Sequence, residues 1–168
     1  LSVALTEDGS RVVSGSDDNT IRVFDVQSGK CERILLGHGS GIASVAMSAD
    51  GACIFSGSYD KTVRVWDASS GRCLQTLEGH RSGVESVASC ADGARVVSGS
   101  CDHTVCVWNT WSGECVQRLE GHTGPLRSVA IDGAGERVVS GSADKTVRAW
   151  DVRSDGGVSA RIRASYAK

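Results

Sequence analysis

Serine, histidine and aspartate, the side chains of a hydrolytic triad, occur together three times at fixed spacing. Each histidine is followed 18 residues later by a serine, and each serine is followed by an aspartate four residues further on. A triad needs these three residue types, with the base oriented by the acid. An active site is built once, however, beside one oxyanion hole and one pocket. Three equal copies therefore favour a structural role, and hydrolysis is kept only as a remote alternative. The sets are His38, Ser56 and Asp60; His80, Ser98 and Asp102; and His122, Ser140 and Asp144.

Three tryptophans recur with the same period as the triad residues. Trp66, Trp108 and Trp150 are 42 residues apart, and the Gly-His pair that begins at Gly37 repeats with the same step. Self-similarity with a period of about 20 to 50 residues indicates a solenoid or a propeller whose units lean on their neighbours. The side chains that could do chemistry therefore belong to a repeated structural unit.

Each unit is predicted to contain four short strands. In the second unit, residues 42–49 and 52–56 are apolar runs, residues 62–66 alternate between polar and apolar types, and Cys73–Leu77 forms an outer strand. Residues 48–51 supply a turn between the first and second strands, because glycine accepts a positive φ and aspartate bonds its own backbone. Residues 57–60 close the second run and form the turn before the third strand. Four short strands joined by tight turns predict an antiparallel meander and an all-β fold.

The repeated unit is similar to that of one known family. A unit of 42 residues, with Gly-His near its start and Trp-Asp near its end, resembles the WD repeat. The resemblance covers residues 1 to about 151 and implies a β-propeller of four-stranded antiparallel blades. The four repeats place the blades at about 1–36, 37–78, 79–120 and 121–162 of a single propeller segment, 1–168, with a divergent tail at 163–168.

The resemblance also implies a role for each triad. In WD repeats the aspartate of the tight turn accepts a hydrogen bond from the histidine, the histidine bonds the serine, and the serine accepts the indole N–H. Indole is only a donor, and buried polar groups require partners, so such a chain satisfies every member. The implied structural tetrads are His38-Ser56-Asp60-Trp66, His80-Ser98-Asp102-Trp108 and His122-Ser140-Asp144-Trp150.

The first and last units depart from this pattern. The first unit has Ser14 and Asp18, but Phe24 replaces the tryptophan and has no N–H to donate. After Asp151, only residues 158–162 suggest a last outer strand. The chain begins with leucine inside a strand, so we expect it to be a piece of a longer protein. Three arrangements stay open: a segment of a larger ring or tandem array, which we favour, a closed four-blade ring, and a pair of copies that completes eight blades.

The composition limits the classes of function. Lys plus Arg number 18 and Asp plus Glu number 20, so the net charge of −2 gives no electrostatic case for nucleic acid. No apolar stretch approaches about 18 residues, so no membrane span is expected. Seven cysteines are an odd number, and no Cys-x-x-Cys occurs. We therefore expect free thiols in an intracellular protein, cytoplasmic or nuclear, with no metal and no cofactor.

The resemblance places partner binding on the propeller face that carries the Gly-His loops and the turn aspartates. Positions that differ between units are informative there, because the repeated ones serve the blade. Tyr59 and Arg127 are the first candidates, since tyrosine and arginine are enriched in binding hot spots, and Glu85 and Asp17 follow. Trp111 is the last candidate: it falls in the turn between the third and fourth strands, so we expect it to be exposed on the opposite face. There it either marks a second contact site or covers the neighbouring outer strand.

Together these features predict a non-catalytic scaffold or adaptor that binds proteins or peptides inside the cell and has no small-molecule substrate. Lys61 and Lys145 follow the turn aspartate in two units, whereas Asn19 and His103 do so in the others. This mixed rim favours a peptide or protein over a polyanion. The alternative is a regulatory propeller segment, similar to a G-protein β subunit or to the arrays attached to NTPase or kinase domains.

Overall fold

The computed structural model describes residues 2–153 and 164–165, and every regular element in this part is a β-strand. Branched and small apolar residues alternate with polar ones along short segments that end at turn residues, which favours strands over helices. Among the described residues no helix is long and apolar enough to cross a membrane. The strands are β1 (Ser2–Leu5), β2 (Arg11–Gly15), β3 (Ile21–Asp25), β4 (Cys31–Leu35), β5 (Ile42–Met47), β6 (Cys53–Ser58), β7 (Val63–Asp67), β8 (Cys73–Leu77), β9 (Val84–Ser89), β10 (Arg95–Ser100), β11 (Val105–Asn109), β12 (Cys115–Leu119), β13 (Leu126–Ile131), β14 (Arg137–Ser142), β15 (Thr146–Asp151) and β16 (Ala164–Ser165).

Consecutive groups of four strands form four antiparallel sheets within the described residues. In the second sheet, for example, Ser56 of β6 pairs with Val45 of β5 on one side and with Arg64 of β7 on the other. A register shift lies beside the aromatic residue of the third strand, at Phe24 in the first sheet and Trp66 in the second. The predicted all-β fold of four-stranded antiparallel blades is confirmed.

One predicted turn is wrong. The sequence places Gly57 in the turn at residues 57–60, but β6 continues through Gly57 to Ser58. The glycine serves packing instead, because a Cβ at position 57 would lie only 2.6 Å from Cγ1 of Val84 on the next blade. The left-handed turn residue is Lys61, which has a φ of 75°.

The apolar core is divided into layers between consecutive blades. Between the second and third blades, Phe55 and Leu77 of one blade pack against Val84 and Val96 of the next. Equivalent layers join the first blade to the second and the third to the fourth. Full burial of such a side chain contributes about 1.5–3 kcal/mol. Each blade is therefore stabilised largely by its neighbours.

The four blades form an open arc. Within the described residues, extensive packing joins only consecutive blades. Val3 in the first blade is 72% exposed, although its equivalent Val45 in the second blade is only 6% exposed. Val139 in the fourth blade is 43% exposed, whereas its equivalent Val97 is fully buried. The alternative of a closed four-blade ring is therefore wrong.

The outer strand of the fourth blade lies further along the chain than the sequence suggested. β16 pairs with Thr146 and Val147 of β15, so two residues assigned to the divergent tail complete this sheet. The predicted strand at residues 158–162 lies outside the described residues.

Candidate functional site

The second blade joins four side chains in one hydrogen-bonded chain. Trp66 in β7 donates its indole N–H to Ser56 Oγ in β6 at 2.8 Å. Ser56 Oγ lies 2.7 Å from Nε2 of His38, in the loop before β5. His38 Nδ1 lies 2.7 Å from Oδ2 of Asp60, in the turn between β6 and β7. The chain therefore ties the loop, two strands and the turn of one blade together.

The chemistry of these groups fixes the direction of every proton. Ionised Asp60 can only accept, so His38 Nδ1 donates to it and Nε2 accepts from the Ser56 hydroxyl. Burial lowers the pKa of His38 although Asp60 opposes the shift, so the imidazole is neutral at pH 7. Burial alone would raise the pKa of Asp60, but hydrogen bonds from Thr62, His38 and the Gly39 N–H bring it down to about 2.

The third and fourth blades repeat this geometry. His80 and His122 lie 2.7 and 2.9 Å from the serine oxygens of their own blades, and 2.9 and 2.8 Å from the turn aspartates. The three serines are 0% exposed, and each oxygen bonds both the histidine and the indole. A substrate carbonyl cannot reach a nucleophile in this position, so the geometry supports a structural network. These two sets are His80-Ser98-Asp102-Trp108 and His122-Ser140-Asp144-Trp150.

The first blade keeps the turn without the tetrad. Asp18 accepts from the backbone N–H and the hydroxyl of Thr20 at 2.9 and 2.6 Å. Its second oxygen accepts from exposed Arg22 at 3.1 Å, where the other blades have a histidine. Ser14 and Phe24 are each partly buried in the strands beside it. Without an imidazole or an indole, the polar chain in the described residues ends at this turn.

A guanidinium group lies beside each tetrad, which the sequence analysis missed. Arg64 and Arg148 lie over the indoles of their own blades, with 5.8 Å between Cζ and the ring centroid. The third blade has Cys106 at this position, and Arg118 on the facing strand donates to the carbonyl of Gly79 at 2.9 Å instead. Cys106 and Arg118 are cross-strand partners. The sequence carried a signal of this exchange. The third unit has Cys106 where the neighbouring units have arginine, and it has Arg118 at the position that pairs with Cys106.

On the face that carries the turns, side chains of neighbouring blades overlap above glycines. An added Cβ at Gly41 would lie 3.2 Å from Asp17 Oδ1 of the first blade and 3.5 Å from Tyr59 Cδ2. An added Cβ at Gly83, the equivalent position in the third blade, would lie 3.0 Å from Tyr59 Cδ1. The tyrosine ring therefore rests on the next blade and remains 47% exposed.

Charged groups surround this ring. The carboxylate of Glu85 is the main reason that the pKa of Tyr59 is raised, and burial and Asp17 add to it. Glu85 Oε1 accepts from Cys101 Sγ at 3.0 Å and lies 3.6 Å from Nη1 of Arg127. Burial and the same carboxylate raise the pKa of Cys101 to about 11, so its thiol is protonated and donates. We call this set the rim arc: Asp17, Tyr59, Glu85, Cys101 and Arg127.

Trp111 lies at the other end of the strands, in the turn between β11 and β12, and is 81% exposed. Gln75 Nε2 of the second blade donates to the Trp111 carbonyl at 3.1 Å, so this turn leans on the neighbouring outer strand. In an antiparallel meander the turn between the third and fourth strands and the turn between the second and third strands lie at opposite ends of the strands. Trp111 and the rim arc therefore belong to separate surfaces.

All seven cysteines are free thiols. Cys106 is buried in β11 and Cys115 is exposed on the paired strand β12. The neighbouring thiol of Cys106, the charge of Arg118 and backbone hydrogen bonds bring the pKa of Cys115 to about 7, although burial opposes the shift. In the described part of the chain, no group of three or more His, Cys, Asp or Glu side chains could hold a metal ion.

Comparisons with known proteins give the family. The family model for the WD domain, G-beta repeat, matches residues 1–25, 29–67, 71–109 and 113–151. F-box/WD repeat-containing protein 7 of Drosophila melanogaster is 56% identical over 36 residues, which is 21% of this chain and 3% of that protein. The chain therefore spans a small part of the length of that relative. Because the family model matches most of the chain, in four segments with the period of the blades, this protein belongs to the WD-repeat family.

Proposed function

We propose that this chain is a non-catalytic scaffold, an adaptor in an intracellular complex, that binds a protein or peptide partner through the rim arc. The observation that carries the proposal is the half-exposed ring of Tyr59, which rests on Gly83 and lies near enough to the carboxylates of Glu85 and Asp17 for both to raise its pKa. An aromatic ring that packing already fixes loses little freedom when a partner binds. Tyrosine is also among the residues that dominate binding energies at interfaces.

The charges of the rim arc favour a particular kind of partner. Two carboxylates beside an aromatic ring suit a cationic side chain, which the ring face also attracts. Arg127 lies on the fourth blade, next to the blade that carries Glu85. Its side chain is 60% exposed, so it can bind an acidic group of the partner. An extended peptide segment with a basic side chain opposite Tyr59 and an acidic one opposite Arg127 fits this arrangement.

Two further observations support a binding role. The serine hydroxyls of the three tetrads are buried and occupied, which argues against hydrolysis. The relative from Drosophila combines WD repeats with an F-box, as its name states, so similar repeats occur in a larger protein.

The test compares variants of the two exposed surfaces. The double variant Tyr59→Ala with Arg127→Glu is expected to lower capture of the main partner at least tenfold, which corresponds to about 1.4 kcal/mol. The melting temperature should stay within about 4 °C, because about half of Tyr59 and more than half of the Arg127 side chain are exposed. The control Trp111→Ala removes an exposed aromatic side chain from the other surface and should leave capture unchanged. Affinity capture with quantitative mass spectrometry measures all three proteins.

The opposite result would place the contact elsewhere. If Trp111→Ala alone removes the partner while the double variant retains it, the partner binds the opposite surface and the rim arc is not the site. If neither variant changes capture, the proposal fails for both surfaces.

A further inference from the structure

The third blade carries two cysteines on facing strands. Cysteine begins the outer strand of each of the first three blades, at Cys31, Cys73 and Cys115. Of these three blades, only the third also has a cysteine in the neighbouring strand, Cys106 in β11, where the first two have arginine. Cys115 is exposed, whereas Cys106 is fully buried. One thiol of this pair can therefore meet solutes, and the second lies inside the blade.

The pairing of β11 with β12 places the side chains of both cysteines on one face of the sheet. Cys106 pairs with Arg118 and Trp108 pairs with Cys115, and the register shifts by one residue between the two pairs. Paired residues project from the same face of a sheet, and so do alternate residues of one strand. The two thiols are therefore diagonal neighbours on the face that Trp108 presents to the second blade.

The second blade shows where a thiol at the start of the outer strand extends. Cys73 begins the outer strand there, packs against the core layer that contains Trp66, and has its Sγ 3.8 Å from Oγ1 of Thr76. Thr76 pairs with Arg64, which stands where the third blade has Cys106. A thiol at this position therefore extends toward the pair of residues in which the third blade has its second cysteine.

The side chain of Arg118 extends away from Cys115. Its guanidinium group donates to Thr104 Oγ1 at 3.1 Å and to the Gly79 carbonyl at 2.9 Å. Thr104 precedes β11, whereas Cys115 pairs near the other end of this strand. The arginine therefore does not separate the thiol of Cys115 from that of Cys106.

The two thiols are close enough to change each other's acidity. The Cys106 thiol is the main cause that brings the pKa of Cys115 to about 7, and the charge of Arg118 and backbone hydrogen bonds contribute. Cys115 and burial in turn raise the pKa of Cys106. Near neutral pH a large fraction of Cys115 is therefore thiolate, the form that reacts with oxidants, while Cys106 stays protonated.

We propose that Cys115 is an oxidation site for hydrogen peroxide and that its oxidised sulfur forms a disulfide with Cys106. The Cys115 thiolate attacks one peroxide oxygen, the O–O bond breaks, and the departing hydroxide takes a proton from solvent and becomes water. Cys115 is then a sulfenic acid. The Cys106 sulfur attacks the sulfenic sulfur, and the hydroxyl group leaves as water with the proton of the Cys106 thiol. The two thiols lose two electrons, which reduce one peroxide to two waters.

The disulfide requires a small movement of the outer strand. Diagonal neighbours on paired strands are about 7–8 Å apart, and a disulfide needs a Cα separation of about 7 Å or less. Within the described residues β12 lies at the edge of its sheet and pairs only with β11. The register shift beside Trp108 also interrupts the regular ladder. An edge strand with an interrupted ladder can move by this amount more easily than an inner strand.

Digestion with trypsin and chymotrypsin makes the disulfide visible, because cleavage after Trp108 and Trp111 separates the two cysteines. The purified chain is treated with excess hydrogen peroxide at about pH 7.5, where Cys115 is largely ionised. Free thiols are then blocked, and the unreduced protein is digested. Mass spectrometry should find the fragment with Cys106 linked to the fragment with Cys115, and dithiothreitol should separate them.

Three variants identify the thiols involved. In Cys106→Val the reaction should stop at the sulfenic acid, which dimedone traps, and Cys115 should be oxidised at least about twofold more slowly as its pKa rises. Cys115→Ser changes one atom of an exposed side chain and should abolish the linked fragments without disturbing the fold. Cys101→Ser, the control, removes the second cysteine from the fragment that contains Cys106 and should retain the link.

Three outcomes would overturn the proposal. Peroxide could leave Cys115 unlinked in the wild type, as a free thiol or as a sulfinic acid. The link could persist in Cys106→Val, which would assign it to another thiol. In a mixture of isotopically labelled and unlabelled chains, fragments of different chains could be linked, which would make the disulfide intermolecular.

Discussion

Asp60→Asn tests whether the turn aspartate holds its blade together. Four donors converge on the two carboxylate oxygens. Oδ1 accepts from the backbone N–H and the hydroxyl of Thr62 at 2.9 and 2.7 Å, and Oδ2 accepts from His38 Nδ1 and the Gly39 N–H at 2.7 and 2.9 Å. An asparagine keeps the shape but turns one of these oxygens into a donor. Two donors then face an NH₂ group.

The loss of unfolding free energy depends on which buried proton is left without a hydrogen-bond acceptor. His38 can shift its proton to Nε2 and accept from the new amide at Nδ1. Ser56 Oγ would then accept from both His38 and Trp66, and its own hydroxyl proton would have no partner in a fully buried position. A buried donor without a partner costs about 1–3 kcal/mol, and the weakened bond at Gly39 adds to it, so we expect Asp60→Asn to destabilise the chain by about 2–4 kcal/mol.

Urea unfolding measures this difference, and the chain supplies its own control. Asp18→Asn makes the same change in the first blade, where the second carboxylate oxygen meets exposed Arg22 instead of a histidine. We expect a much smaller loss of unfolding free energy there, since water can replace the arginine. The slopes of the transitions must agree for the comparison to hold. Equal losses for the two variants would refute the tetrad as the source of stability.

Two further predictions follow from pKa values. The pKa of Asp60 is lowered from 3.8 to about 2, so its contribution to stability is complete above the higher value and is lost as the pH falls through the lower one. The melting temperature should therefore drop more steeply between about pH 4 and pH 2 in the wild type than in Asp60→Asn. The pKa of Cys115 is about 7, so iodoacetamide at about pH 7.5 should alkylate it faster than Cys31, the equivalent exposed thiol of the first blade. Mass spectrometry of tryptic peptides gives both rates, and Cys106→Val should remove the difference; equal rates in the wild type would contradict the influence of the Cys106 thiol.

The fold was predictable because the same sequence pattern recurs in four units. One Gly-His or one Trp-Asp carries little information, but a constant step of 42 residues indicates a blade. Strand positions followed from alternation, and the missing indole of the first blade followed from Phe24. The boundary at Gly57 was wrong because glycine favours turns locally, and only contact with the next blade shows why a strand needs it there.

Contacts that depend on two strands or two blades were not predictable. Arg118 replaces the guanidinium that Cys106 lacks, and this exchange is visible only once the register pairs the two positions. The influence of the Cys106 thiol on the pKa of Cys115 arises in the same pair of strands. Glu85 was a candidate from its position, but its bond to Cys101 requires the turn after β10 to approach the start of β9. Sequence periodicity shows which residues recur in every blade. It does not show which of the varied residues contact each other across strands or blades.

The separation between repeated and varied residues also indicates where specificity lies. The residue before the turn aspartate occupies the same backbone position in every blade, beside a tetrad or its remnant, and in the first two blades it reaches the next blade, where Asp17 lies against Gly41 and Tyr59 against Gly83. Glycine at positions 41 and 83 opens space for that contact, whereas Pro125 occupies the equivalent position in the fourth blade. The repeated backbone therefore holds one side chain that differs between blades, and we propose that these side chains determine what the surface binds. In this chain they are Asp17, Tyr59, Cys101 and Ala143.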